Sequence, residues 1–240
     1  MRLPRVLEFL GLHAPDVLCL QETKVAAAAF PAAELEAAGY GAVQHSAGRW
    51  AGVAVLAREG LELSDVAHGL AGEPDPAEAR WIEAEVGGLR VVSAYVPNGR
   101  SLDSEFYAAK LAFLAAARER VAELAERPLL LVGDLNVAPA DLDVYDPAAF
   151  AGSTHVSAAE RSAVASLGLV DVYRALHPDE PGFTWWDYRQ GHFHRKLGLR
   201  IDLVLATEDV AARATSCGID RDFRKGPKPS DHAPLLVRVS

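Results

Sequence analysis

Acidic and amide side chains stand at the ends of apolar runs along this 240-residue chain. Glu22 closes Leu18-Cys19-Leu20-Gln21-Glu22, and Asp134 and Asn136 close the run that begins at Leu129. Asp202 opens Asp202-Leu203-Val204-Leu205, and Asp231-His232 precede the last apolar run. Short apolar runs bounded by turn residues read as buried strands. Polar groups at the ends of such strands can converge on one sheet edge, where open α/β sheets bind their ligands. Asp134 and Asn136 are two apart, so on an extended chain both side chains point the same way. Several carboxylates in one place repel unless a cation joins them or some hold protons. Oxygen ligands of this kind suit Mg²⁺ or Mn²⁺ rather than zinc. Each acid alone also has a structural reading, since an Asp beside Gly commonly makes a turn and Asp231 could cap one.

Those residues need elements to hold them. Leu3, Val6, Leu7 and Leu10 follow helical spacing, with Pro4 tolerated in the first turn. Residues 16–22 predict a strand buried on both faces, with Cys19 a small buried side chain. Strands are expected near 40–45, 52–57, 81–86, 89–96, 128–133, 183–188, 201–206 and 233–239. The spacing predicts a helix over 103–126. Its buried stripe runs through Phe106, Lys110, Phe113, Leu114, Ala117, Val121 and Leu124, with Arg118, Glu119, Glu123 and Glu126 opposite. Strands interleaved with amphipathic helices indicate an α/β fold with mixed sheets packed between helices. No repeat, low-complexity stretch or Gly/Ser/Pro-rich linker divides the chain, so one domain over 1–240 is expected.

Half of the residues are hydrophobic and 24% are charged, a globular composition. No apolar run approaches the length of a membrane span. The start mixes charges with apolar residues and has no small-residue cleavage site, so no secretory signal is expected. Cys19 and Cys217 lack nearby cysteine partners, which excludes a zinc knuckle or a local redox motif and points to a reduced, cytoplasmic setting. Lys plus Arg number 24 against 33 Asp plus Glu, a net charge of −9. That excludes a non-specific nucleic-acid coat protein but not an enzyme with a local basic face. Positive charge concentrates at 192–200 and 221–228, which also reads as a solvated mixed surface. His192-x-His194 has a spacing seen in metal sites, yet no third nitrogen ligand is evident and the flanking Arg195 and Lys196 suit phosphate better. No G-x-S-x-G elbow supports a serine hydrolase.

Six segments occur in order: QET at 21–23, YVPNG at 95–99, GDLNVAP at 133–139, FTWWDYR at 183–189, RIDLVLA at 200–206 and KPSDHAP at 228–234. Over essentially the whole chain this resembles the exonuclease III family of the endonuclease/exonuclease/phosphatase superfamily. GDxN with a downstream SDH is specific to the superfamily, and FTWWDYR followed by RID points to the exonuclease III branch. The resemblance implies a four-layer α/β sandwich and a Mg²⁺-dependent DNA-repair nuclease, with Mn²⁺ able to substitute. Its substrate would be double-stranded DNA with abasic sites or blocked 3′ ends, cleaved by a monomer without a membrane.

Residue by residue, the resemblance makes Glu22 and Asp231 metal ligands. Asp134 matches the acid/base aspartate that orients or deprotonates the attacking water, and Asn136 positions that water or the phosphate. His232 would donate to a non-bridging phosphate oxygen, and Asp202 would hold its imidazole; Tyr95 matches the active-site tyrosine. Asp134, Asn136 and His232 also border the metal. Which group is the base, and whether one metal or two act, stays open. Phe183, Trp185 and Leu199 match an apolar pocket that admits a base-free sugar by size, although Trp185 and Trp186 also read as plain core. Asn98, Arg100, Arg195, Lys196 and Lys225 are the expected DNA contacts. Family members begin with a strand carrying a W-N motif; this chain opens on the following helix, so an absent strand and an unfilled lane beside residues 16–22 are expected. Two other readings remain beside the nuclease: a superfamily phosphatase or phospholipase-type phosphoesterase, and a catalytically impaired DNA-binding protein.

Overall fold

The computed structural model describes residues 2–124 and 126–240. The chain divides into two compact units, each assembled from separated stretches. One comprises Met1–Tyr95 with Leu124–Gly133, the other Val96–Glu123 with Asp134–Ser240.

In the first unit the Leu/Val spacing near the start produces α1 (Leu3–His13), which ends where Ala14 turns left-handed and bonds Leu10. β1 (Val17–Leu20), α2 (Ala32–Ala37), β2 (Tyr40–His45) and β3 (Val53–Arg58) follow. The three strands pair antiparallel in the order β1-β3-β2. β3 shows why a continuous apolar run is needed here. Ala54 and Leu56 face a cluster of Leu10, Leu35 and Tyr40 with the α1 stripe, while Val53, Val55 and Ala57 pack with Ile82, Val86 and Val91. The strand at 16–22 was expected to be buried on both faces. Instead all four residues of β1 are half-buried, Cys19 included, because β1 has one neighbour and lies at the edge of its sheet.

β4 (Ser64–His68), β5 (Trp81–Val86), β6 (Leu89–Tyr95) and β7 (Leu129–Asp134) are neighbours in that order. Gly87 and Gly88, both at positive φ, make the two-residue turn that pairs Val86 with Leu89. The sequence reading missed β4. It is a polar edge strand with shifted register between Ser64 and Ala67, so it carries no apolar alternation.

The second unit opens with α3 (Glu105–Glu123), capped by Ser104 Oγ accepting from the Tyr107 amide. The helix predicted over 103–126 is thus shorter at both ends, and Ala125 lies outside the described residues. Lys110, Phe113, Leu114, Ala117 and Val121 are buried as the stripe requires, whereas Phe106 is exposed. α4 (Ala158–Ala165) starts at a Ser157–Glu160 capping box. β8 (Val170–Asp171), α5 (Val172–Leu176), α6 (His192–Arg195), β9 (Asp202–Ala206), α7 (Glu208–Ala212), β10 (Ala214–Ile219) and β11 (Leu235–Val239) complete the unit. β8 pairs with β9 and β10 with β11, all antiparallel.

No strand forms at 183–188, contrary to expectation. Trp185 makes single bridges to Leu199 and to His232, the Trp186 amide bonds the Asp231 carbonyl, and Asp187 turns the chain by accepting from Arg189. The segment serves two partners in succession and so cannot extend a ladder with either. Among the described residues no helix is long and apolar enough to cross a membrane.

Candidate active site

Asp134, the last residue of β7 and the first of the second unit's stretch Asp134–Ser240, is buried with 5% of its surface exposed. The extended chain expected from Asp134 to Asn136 is not what aligns them. Asn136 stands at φ +53, and its amide donates to Asp134 Oδ1 at 2.9 Å while its Nδ2 donates to Oδ2 at 3.1 Å. The pair meets through a tight local turn, for which asparagine is suited. Asn136 Nδ2 also donates to the Val96 carbonyl, and Asn98 Nδ2 donates to Asn136 Oδ1 at 3.2 Å.

Asp202 opens β9, its amide held by Thr184 Oγ1. His232 Nδ1 lies 2.8 Å from Asp202 Oδ2, and its Nε2 is 3.8 Å from Asp134 Oδ2. Burial would lower the imidazole, but the charge and hydrogen bond of Asp202, then Asp134 and Asp231, raise it to about 10. Protonated, the ring donates from Nδ1 to Asp202 and presents a second N–H toward Asp134. Ligand atoms of Asp134, Asp202 and His232 all lie within 4.8 Å of one another. The two carboxylates offer oxygens that suit a divalent cation, whereas the protonated ring has no lone pair with which to ligate one. Asp231 stands apart from this group: its carboxylate accepts from Trp185 Nε1 at 3.2 Å and Tyr188 Oη at 3.5 Å. His192 and His194 join no such cluster among the described residues.

Leu199 joins Ala138, Val144 and Ile201 in an apolar cluster against which Trp185, Phe150 and Val156 pack. Phe183 is not among them. Ile201 was not singled out from the sequence, although it sits two residues from Leu199, a spacing that marks one face of an extended chain. Arg195 and Lys196 are exposed at the end of α6. Arg100 stacks on Phe106, with its guanidinium 3.4 Å from the ring centre. Lys225 pairs with Asp222 at 2.7 Å. The stretch 221–228 is less of a basic face than its composition suggests. Arg224 is buried, donates to the Trp186 carbonyl and stacks on Phe193, and Arg221 donates to the Phe193 carbonyl.

In the first unit Glu22 follows β1 at φ +53, a left-handed position uncommon for a non-glycine residue. Its Oε1 accepts from the Tyr95 hydroxyl and its Oε2 pairs with Lys24 Nζ at 2.6 Å. The Arg80 guanidinium lies 4.6 Å over the Tyr95 ring. Lys24 and Arg80 were missed from sequence, since a lone base near an acid carries no pattern.

The sequence profile described as the Endonuclease/Exonuclease/phosphatase family matches residues 2–232. The chain belongs to that family. It is 35% identical to exodeoxyribonuclease III of Haemophilus influenzae over 93% of this chain and 89% of the relative. Among solved structures it resembles the 3′ phosphatase NExo from Neisseria bound to a product DNA hairpin, at 39% identity and TM-score 0.96, covering 100% of this chain and 94% of that one. An AP endonuclease from Archaeoglobus fulgidus is similar at 36% identity and TM-score 0.94, covering 99% of this chain and 94% of that one. The chain is therefore an α/β phosphodiesterase-class hydrolase of the exonuclease III/AP endonuclease type.

Proposed function

We propose that this enzyme hydrolyses phosphoesters at damaged or blocked DNA 3′ ends and on the 5′ side of abasic sites, with Mg²⁺ or Mn²⁺, as a cytoplasmic monomer. The observation that carries the reading is the Asp134–His232–Asp202 constellation in a chain 39% identical to a 3′ phosphatase whose structure holds product DNA. Phosphoester hydrolysis places developing negative charge on non-bridging oxygens, and fixed donors there lower the barrier. His232, charged and oriented by Asp202, donates to such an oxygen. Asp134 orients the attacking water and takes its proton, and Asn136 positions water or phosphate with its amide. Tyr95 offers its phenol to the same phosphate. Glu22 and Asp231 would hold the cation, with Asp134, Asn136 and His232 at its border. When bound, the cation supplies charge neutralisation on the phosphate. Asn98, Arg100, Arg195, Lys196 and Lys225 contact the DNA backbone, and Phe183, Trp185 and Leu199 line the pocket for the sugar.

The test is a pair of duplexes, one ending in a 3′-phosphate and one containing a single abasic-site analogue, each incubated with Mg²⁺ or with EDTA. Release of phosphate and incision at the analogue are expected with Mg²⁺ and not with EDTA. Full activity in EDTA would remove the metal from the mechanism. Hydrolysis of an inositol phosphate in place of both duplexes would replace the DNA substrate.

A further inference from the structure

Lys110 is wholly buried on α3, and none of the roles proposed above uses it. An ammonium has three protons to donate and accepts nothing, so out of water it needs a full set of acceptors. Nζ lies 2.5 Å from Glu160 Oε1, 2.6 Å from the Asn136 carbonyl, 3.2 Å from the Asn98 carbonyl and 3.3 Å from Thr154 Oγ1. Glu160 alone would balance the charge. The carbonyls complete the set of acceptors, and they belong to the two asparagines whose side chains meet in the site. One side chain thus ties together the backbones of two loops that are distant in sequence.

Asn136 is the residue most in need of such a tie. Its left-handed backbone is tolerated by asparagine but is sparsely populated unless the surroundings enforce it. Rotation there would withdraw both Asn136 donors from Asp134. Its carbonyl is held from one side by Lys110 and from another by His155 Nδ1 at 2.6 Å. The second loop is fitted to the same lysine. At Gly99, φ +90, an added Cβ would lie 2.8 Å from Thr154 Oγ1 and 3.1 Å from Lys110 Cδ. Glycine is what lets this loop descend onto the lysine stem.

We infer that Lys110 is a positioning residue: its ammonium holds the Asn98 and Asn136 carbonyls so that Asn136 keeps its conformation and Asp134 keeps both of its Asn136 donors. The inference rests on the proposed roles of Asp134 and Asn136 in phosphoester hydrolysis.

The test compares two variants of the full chain with wild type. Lys110→Met/Glu160→Leu removes both charges, the lysine's bonds to the two carbonyls and the bonds that Thr154, His155 and Ser157 donate to Glu160, whereas Glu160→Gln weakens the ion pair but leaves the lysine on the carbonyls. Phosphate release from the 3′-phosphate duplex gives kcat and KM, thermal melts give Tm, and hydrogen–deuterium exchange is read over residues 96–100 and 134–138. The double variant should lose about 10-fold or more in kcat with KM changed by less than about twofold, while Glu160→Gln stays within about threefold of wild type despite a lower Tm. Exchange over both loops should quicken in the double variant beyond that in Glu160→Gln. A kcat that follows Tm across both variants, or one that neither variant changes, overturns the inference. Should the double variant not fold, Gly99→Ala presses on Thr154 Oγ1 and on the Lys110 stem without altering a charge. A fall in its kcat at constant KM then supports the inference and an unchanged kcat overturns it. If wild type itself releases no phosphate, the functional proposal fails and the exchange comparison decides the role of Lys110 by itself.

Discussion

Asp134 is asked to be a hydrogen-bond acceptor for Asn136 at both oxygens and to face a charged imidazole 3.8 Å away. A carboxylate so surrounded is fixed in orientation, which suits a group that must aim a water molecule. Asp134→Asn keeps the volume but turns one oxygen into a donor that faces Asn136. His232→Ala deletes the imidazolium and leaves Asp202 without its partner. Each change should lower kcat for 3′-phosphate release by about 100-fold or more while DNA affinity stays within a few-fold. Single-turnover rates and binding isotherms on the same duplex check this, and near-wild-type turnover in either variant would show that the reacting groups lie elsewhere.

Elements meet the site through a few crowded or charged contacts. At Gly133, φ +138, an added Cβ would come 2.1 Å from the Ala94 carbonyl oxygen, so only glycine lets β7 approach β6 just before Asp134. Gly133→Ala should destabilise the protein by about 2 kcal/mol or more, read from denaturant melts. In the second unit Arg200 is wholly buried and bonds Asp143 through Nε at 2.7 Å and Asp171 through Nη2 at 2.7 Å, while Arg174 bonds Asp143 at 2.6 Å. This network braces the residue two before Asp202. Arg200→Met strands the buried Asp143 beside a single remaining arginine and should cost about 3–5 kcal/mol of stability. A melt unchanged from wild type would mean that Arg174 satisfies Asp143 by itself.

At the scale of the molecule, a net charge of −9 means that a DNA substrate would have to be held by local positive charge against an opposing overall field. Arg195 and Lys196 are exposed, whereas Lys225 shares its charge with Asp222 and Arg224 is buried. If DNA is the substrate, roughly three to five phosphates would be contacted, and the slope of log K against log salt should be about −3 to −4.5. Arg195→Ala should reduce the slope by about one and Lys225→Ala by less. A flat salt response would point away from DNA and toward a smaller phosphoester.

The α/β class, most strands and the long helix were legible because burial imposes a period on the chain. β3 and β7 must be apolar on both faces, and α3 must carry a stripe. Asp134, Asn136 and His232 were picked out as candidates through short segments such as GDLN and SDH, in which chain connectivity itself holds the groups together. Partners supplied by other segments were not. Lys110 reads as a stem on a helix stripe until α4 brings Glu160 and two loops bring their carbonyls. Arg224 reads as part of a basic cluster until Trp186 and Phe193 enclose it. The segment 183–188 reads as a strand, yet its hydrogen bonds are divided between two neighbours. Sequence alone determined which groups exist and which runs must be buried, since these follow from side-chain type and local period. Tertiary structure alone decided which charge each buried group would meet, because the nearest acceptor to a buried donor is set by packing and not by distance along the chain.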